Sequence, residues 1–194
     1  MKLINENIEH TFTCRGEDKL GSIGIGTREL IKKWLENHRI QNYIINKDLS
    51  IDVKDNVKLF ILKLENFPEY IKFNTVDGDF NIAINNLTSL RGCPLYVGQD
   101  FSCSKNLLTS LEYGPLIVNK NYYCGRNLIT SLIGCPKTVN GDFHCHDNKL
   151  NSFDTLTSII KGDLICDGNN YNLKEKNKLI KREIIGGQIR DNGY

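Results

Sequence analysis

Three stretches of the chain read almost as one. Residues 97–115 are VGQDFSCSKNLLTSLEYGP, residues 118–136 are VNKNYYCGRNLITSLIGCP, and residues 139–157 are VNGDFHCHDNKLNSFDTLT. The step between them is 21 residues, and at that step Cys103, Cys124, Cys145 and Cys166 fall into one column. Asn85, Asn106, Asn127, Asn148 and Asn169 form a second column. Phe80, Phe101, Tyr122, Phe143 and Leu164 form a third, and Val76, Val97, Val118, Val139 and Ile160 a fourth. A fixed step of this size marks a solenoid, whose units each bury an apolar face only against their neighbours.

The unit dictates its own local structure. In F-x-C the two apolar residues share one face of a short strand, and the next copy lays its strand alongside. The Asn column falls where the chain turns out of that strand, so its side chains can bond the main chain of adjacent coils. A coil this short has no room for a full helix on its return. Extended or 3₁₀ segments are expected around Gly92-Cys93-Pro94 and Gly134-Cys135-Pro136. A degenerate first copy precedes these, with Val57, Leu59, Leu64 and Phe67 at a 23-residue step.

Seven cysteines in 194 residues raise the question of metal or redox chemistry. The register answers it for most of them. Four occupy the inner position that Ile82 and Leu59 hold in earlier copies, and free Cys packs as a small hydrophobe. Cys93 and Cys135 belong to the return segment, and Cys14 stands outside the repeat. No C-x-x-C pair is present, so zinc spacing is missing. The odd count argues against a disulfide framework. Net charge is +2, from 25 basic and 23 acidic residues, which gives nucleic acid or an anionic membrane no electrostatic case. No apolar run is long enough for a membrane helix, and the opening residues do not read as a secretory signal.

Outside the repeats, residues 1–56 read as an arm and a capping unit. Thr27 is the expected N-cap of a helix carrying Leu30, Ile31, Trp34 and Leu35. Tyr43-Ile44-Ile45 and Leu49 to Val53 flank a polar turn and read as a β-hairpin. Gly24-Ile25-Gly26-Thr27 lacks the spacing of a phosphate loop. Residues 57–171 are the solenoid, about six coils. Residues 172–194 hold six basic and three acidic residues; they are either a short helix over the last coil or a basic arm for a partner.

The core of the unit, F-x-C-x-x-N-x-L-x-x-L, resembles the leucine-rich repeat. The runs IGIGTRELIKKWLENHRIQNYIINKDLSIDV (residues 23–53), FPEYIKFNTVDGDF (67–80) and LTSLRGCP (87–94) resemble a largely uncharacterised group of leucine-rich-repeat proteins of tailed bacteriophages. The resemblance implies an α/β repeat fold with a parallel sheet on the concave face, an N-terminal helix and hairpin cap, and a short C-terminal helix. It also implies work in a bacterial host cytoplasm, or packaging in a virion. It carries no catalytic residues.

On that fold the outward positions of the strands are the candidate binding surface: Asp79 and Asn81, Asp100 and Ser102, Asn121 and Tyr123, Asp142, His144 and His146, then Asp163 and Asp167. The first member of each copy builds a ladder of four carboxylates and Asn121. It is either a solvated face screened by salt or a site for a basic partner. His144 and His146, at i and i+2 on one strand, point the same way and are the candidate metal pair, with Asp163 or Asp167 as a further ligand. Three roles compete. One is a non-catalytic module that binds a protein, possibly of the host. The others are a structural or scaffold component and a metal-dependent hydrolase. The repeat absorbs nearly every apolar position and leaves no nucleophile–base pair with an orienting partner. The expectation is therefore the binding module, with no enzyme activity, no cofactor and no membrane.

Overall fold

A computed structural model describes residues 26–191. The arm before them and Cys14 lie outside the described residues. The chain forms helix α1 (Thr27–Asn37), then β1 (Tyr43–Ile45), β2 (Ile51–Val53), β3 (Val57–Lys58), β4 (Phe73–Val76) and β5 (Phe80–Asn81). From there each coil adds two short strands: β6 (Tyr96–Val97) and β7 (Phe101–Ser102), β8 (Ile117–Val118) and β9 (Tyr122–Tyr123), β10 (Thr138–Val139) and β11 (Phe143–His144), β12 (Ile159–Ile160) and β13 (Leu164–Ile165). Helix α2 (Leu173–Ile180) and β14 (Ile189–Arg190) follow.

These strands build a parallel β-solenoid with two sheets. One runs β1-β2-β4-β6-β8-β10-β12 and the other β14-β13-β11-β9-β7-β5-β3. The second sheet is the F-x-C sheet read from the sequence, where Phe80 pairs with Phe101, Phe101 with Tyr122, and Tyr122 with Phe143. The first sheet departs from the single sheet expected. The Val column is not a lead-in to the strand but a strand of its own, with Val76, Val97, Val118, Val139 and Ile160 in register. A corner three residues long separates the two, so one apolar residue from each sheet points into the same interior. Within the first sheet β1 and β2 form the antiparallel hairpin, with Tyr43 opposite Val53.

The interior is a set of aligned columns. Phe80, Phe101, Tyr122 and Phe143 stack with ring centroids 5.9, 5.0 and 5.0 Å apart. Phe73 adds an edge-on contact to Phe80 at 5.2 Å, and such aromatic pairs contribute about 1 kcal/mol beyond burial. Cys103, Cys124, Cys145 and Cys166 are buried and free, as are Cys93 and Cys135. Burial pushes the Cys103 thiol up to about 12, so it stays protonated and inert.

The Asn column holds the coils together. Asn127 donates from Nδ2 to the carbonyls of Cys103 and Cys124, both at 3.1 Å, and accepts from the Leu108 amide at 3.1 Å. Asn106 and Asn148 repeat the pattern one coil to either side. The residue before each Asn is left-handed: Ile84, Lys105, Arg126, Asp147 and Gly168 all have positive φ. Only that turn leads the chain from the strand to the return while aiming the Asn inward.

The return segments are type II turns rather than 3₁₀ helix. The Cys93 amide donates to Leu90 O at 2.9 Å and the Cys135 amide to Leu132 O at 3.0 Å. Gly92 and Gly134, at the third turn position, have φ of 97° and 81°. Tyr113 holds that place in the coil between them at φ 67°, and Arg91 lies over its ring at 4.1 Å.

At the start, Gly26, not Thr27, is the N-cap of α1, and no side chain caps it. Ile31, Trp34 and Leu35 are the buried face of the helix. At the other end α2 is present, with Asn172 as its N-cap accepting from the Glu175 amide. The residues after it are more than a tail. Ile185 bridges Ile160, and β14 pairs with β13, so residues 184–190 are one more coil. Arg182 pins it by donating to Phe153 O at 2.7 Å and to Leu156 O. No helix among the described residues is long and apolar enough to cross a membrane.

Candidate functional site

The expected ladder is present, but it stands at the corner one residue before each strand of the F-x-C sheet, and its chemistry is architectural. Strand-start amides have no strand partner, and the side chain one coil earlier accepts each of them. Asn56 Oδ1 accepts from the Asp79 amide at 2.7 Å, Asp79 from Asp100 at 3.1 Å, and Asp100 from Asn121 at 2.9 Å. Asn121 then accepts from Asp142 at 2.8 Å, Asp142 from Asp163 at 2.8 Å, and Asp163 from Gln188 at 2.8 Å. An amide on each carboxylate offsets the like-charge repulsion that the spacing alone suggests. Glycine precedes the ladder residue at Asp79, Asp142 and Asp163, with Gln99 and Lys120 in the other two rungs, and the close approach accounts for these glycines. A β-carbon at Gly162 would lie 2.2 Å from Asp142 Oδ1, and one at Gly141 would lie 2.4 Å from Asn121 Oδ1.

The ladder keeps a second oxygen for other work. Asp163 Oδ2 accepts from Arg190 Nε at 2.6 Å. The Gln188 amide, then Arg190, hold the Asp163 carboxyl below its ordinary value, against a smaller opposing effect of burial. The chain thus displays on one rung what complements the ladder, a guanidinium.

Beside the ladder runs the outward row of the sheet. The pairing places Asn81, Ser102, Tyr123, His144, Ile165 and Arg190 side by side. Asn81 turns back on its own strand, accepting from the Ala83 amide at 3.0 Å. Tyr123 and His144 stack with centroids 4.5 Å apart. Both are half-buried. Burial, then the charge of Asp100, pushes the Tyr123 hydroxyl up. Burial holds the His144 imidazole below 6.5, although Asp142 opposes this.

One position further along lie Ala83, Ser104, Gly125, His146 and Asp167. The His146 ring folds back over Gly125, where a β-carbon would meet Nε2 at 2.5 Å. His146 Nδ1 is 3.0 Å from Asp147 Oδ2, and Arg126 Nε donates to the same oxygen at 3.2 Å. His146 first, then Arg126, keep the Asp147 carboxyl low. The aromatic wall of Tyr123, His144 and His146 therefore stands above a shallow floor of Ser102, Ser104 and Gly125.

The candidate metal pair does not converge. The His144 and His146 rings are 6.4 Å apart and nearly perpendicular, whereas sharing a tetrahedral zinc at about 2 Å per nitrogen needs centroids roughly 5 Å apart. His146 turns Nδ1 to Asp147, and Asp163 is engaged by Arg190. No group of three or more His, Cys, Asp or Glu among the described residues is placed to hold a metal ion. Asp167 lies at the end of the row, and its carbonyl accepts from the Asp147 amide.

Two functional features escaped the sequence reading: the capping by the ladder, and the last coil with Arg190. The first had a signal in the recurrent Gly-Asp pairs 78–79, 141–142 and 162–163. The second had one in Ile185, Gly187 and Ile189, which repeat Ile160, Gly162 and Leu164 at a 25-residue step. Compared with protein-family models, curated proteins and solved structures, the chain has no match.

Proposed function

We propose that this solenoid is a non-catalytic module of the leucine-rich-repeat type that binds another protein through the outward face of its F-x-C sheet. The observation that carries the reading is a contrast within the chain. Inner columns, the Asn column and the ladder barely vary from coil to coil. The outward row changes at every coil, as Asn81, Ser102, Tyr123, His144, Ile165 and Arg190. The coil does not need those side chains, so what is particular to this protein is displayed there. Half-exposed Tyr and His over a floor of small residues supply rigid contact area, as interface anchors do. The free oxygens of Asp79, Asp100 and Asp142 favour a basic partner segment, as Arg190 on Asp163 illustrates.

The resemblance to phage repeat proteins supports a phage-encoded chain acting on a host or phage protein in the infected cytoplasm. The test is affinity capture from host lysate with the wild-type chain and a Tyr123→Ser/His144→Ser variant as baits. A partner captured by the first and lost by the folded second supports the reading. Identical captures refute it. Charge is probed with Asp100→Asn/Asp142→Asn, since charge reversal would also remove the ladder's caps.

A further inference from the structure

The level before the first coil is built on two sides. β1 stands beside β2 as the terminal strand of the first sheet. On the return side α1 sets Trp34 edge-on against Phe67 and Phe73. Arg28 ties the helix to β1 by donating to Ile45 O and Asn46 O, both at 2.8 Å. The third side, on the F-x-C sheet, stops at β3.

The β3 edge lacks particular partners. In each later coil three carbonyls accept from the coil before. Those of Asp79, Asn81 and Ala83 take the amides of Val57, Leu59 and Ile61, and the same holds through to Asp163, Ile165 and Asp167. The matching carbonyls of Asn56, Lys58 and Phe60 accept nothing among the described residues. The amides of Lys58 and Phe60, out of phase with Val57 and Leu59, turn to the same bare side. Val57 and Leu59 are themselves buried, so the edge lacks main-chain partners. Phe60 and Ile61 beside it are 43% and 60% exposed.

The chain carries a segment of matching pattern. Residues 8–23, IEHTFTCRGEDKLGSI, hold a copy of the unit that the 21-residue step does not reach. Ile8, Phe12 and Cys14 keep the spacing of Val97, Phe101 and Cys103. Gly16 falls at the position that is left-handed in the coils, as Gly168 does. Glu17 takes the Asn position, and Leu20 and Ile23 keep the spacing of Leu108 and Leu111 one residue late. Gly26 follows Cys14 by 12 residues, as Pro115 follows Cys103 at the end of its return.

We propose that Phe12-Thr13-Cys14 is the occupant of the β3 edge, a parallel strand with Phe12 beside Val57 and Cys14 beside Leu59. The pattern of the later coils then supplies the missing bonds. The amides of Phe12, Cys14 and Gly16 donate to the carbonyls of Asn56, Lys58 and Phe60. Ile8 finds no place beside β2, because β1 stands there, so the copy extends one sheet only. Covering β3 removes an open edge that otherwise templates pairing between chains. The Tyr123–His144 face stays free, so the inference does not rest on the binding reading.

The test is labelling of the native full chain with iodoacetamide, read by intact mass. The six other cysteines are buried, so Cys14 decides the count. The expected result is no label on the parent and one per chain on Phe12→Asp, with an unchanged circular dichroism spectrum. Position is read separately. Thr13 falls beside Lys58, and neighbouring strands about 4.8 Å apart lie within reach of a disulfide. Thr13→Cys/Lys58→Cys in a Cys14→Ser background therefore closes a cross-link within the chain on oxidation. This readout decides the matter if Phe12→Asp leaves Cys14 protected. A labelled parent overturns the proposal. Protection without the cross-link also overturns it, because residues 8–23 then lie on another surface. A cross-link between chains, at twice the mass, overturns it in favour of a second copy's segment.

Discussion

A β-carbon on Gly114 would stand 3.4 Å from the hydroxyl of Tyr122. In the coils on either side the same two positions hold Cys93 with Phe101 and Cys135 with Phe143. The coil that gains a hydroxyl has thus lost a thiol. The exchange fills the volume but not the hydrogen bonds. Tyr122 Oη is buried without a well-formed hydrogen bond; what it meets is the thiol of Cys103, a weak hydrogen-bonding group, with that of Cys124 near by.

Tyr122→Phe therefore stabilises the chain by up to about 1 kcal/mol, because a buried hydroxyl with only a weak thiol contact is removed. Gly114→Cys alone destabilises by crowding, its β-carbon lying 3.0 Å from Leu111 O and from Leu90 Cδ1 as well as 3.4 Å from Tyr122 Oη, and only the part owed to the hydroxyl disappears in the Tyr122→Phe background. Urea unfolding of the four chains gives the coupling, expected at about 1 kcal/mol for groups in contact. Additive effects would contradict the exchange.

Asn127→Ala strands the Leu108 amide and the carbonyls of Cys103 and Cys124 inside the core. At about 1–3 kcal/mol for each unsatisfied group, the cost exceeds roughly 3 kcal/mol. Ser110→Ala, at a half-buried position in the preceding coil, costs under about 1 kcal/mol. Equal losses would mean that the Asn column does not carry the coil-to-coil bonding assigned to it.

The ladder separates by chemistry rather than by charge. Asp100→Asn keeps the oxygen that accepts from Asn121, as Asn56 and Asn121 already do in their own rungs. It leaves stability within about 0.5 kcal/mol, whereas Asp100→Ala loses about 1 kcal/mol with the hydrogen bond. Thermal unfolding of the pair checks this. A ladder that serves only to attract a basic partner would make both variants as stable as the parent or more so.

His144 supplies the pH dependence near neutrality. Its folded value is depressed below 6.5 by burial, so the unfolded chain binds the proton more readily. The stability it contributes is complete above 6.5 and falls as pH drops from there through the folded value. Asp147 and Asp163, held below 3.8, lose their contribution only in a separate, more acidic window. Unfolding free energy measured between pH 7 and 5 declines in the parent and flattens in His144→Gln. An equal decline in both chains would place the titration elsewhere.

Much of this fold was legible in residue identity because a solenoid writes its contacts at constant sequence separation. Phe101 above Tyr122 and Asn106 above Asn127 are read directly from the 21-residue step. The second sheet was less visible, since a two-residue strand such as Tyr96–Val97 shows only one inward residue and no alternation. The capping role of the ladder is hidden for a related reason. Asp79 and Asp100 are acids, and only the geometry of the corner shows that an amide one coil away claims one oxygen of each. The last coil hid because α2 replaces its return segment and moves Ile189 out of the 21-residue register. At the candidate site, the Tyr123–His144 contact was implicit in the register. The turning of His146 over Gly125 toward Asp147 depends on side-chain packing that spacing does not encode.

We propose that the invariant columns build the coil while Tyr123 and His144 meet the partner. Quantitative capture from cell lysate tests this with three baits of verified fold: the parent, Asp100→Asn, and Tyr123→Ser/His144→Ser. The expected result is a protein retained by the parent, retained less by Asp100→Asn and absent from the double variant. The same proteins at the same yield on all three baits would contradict it.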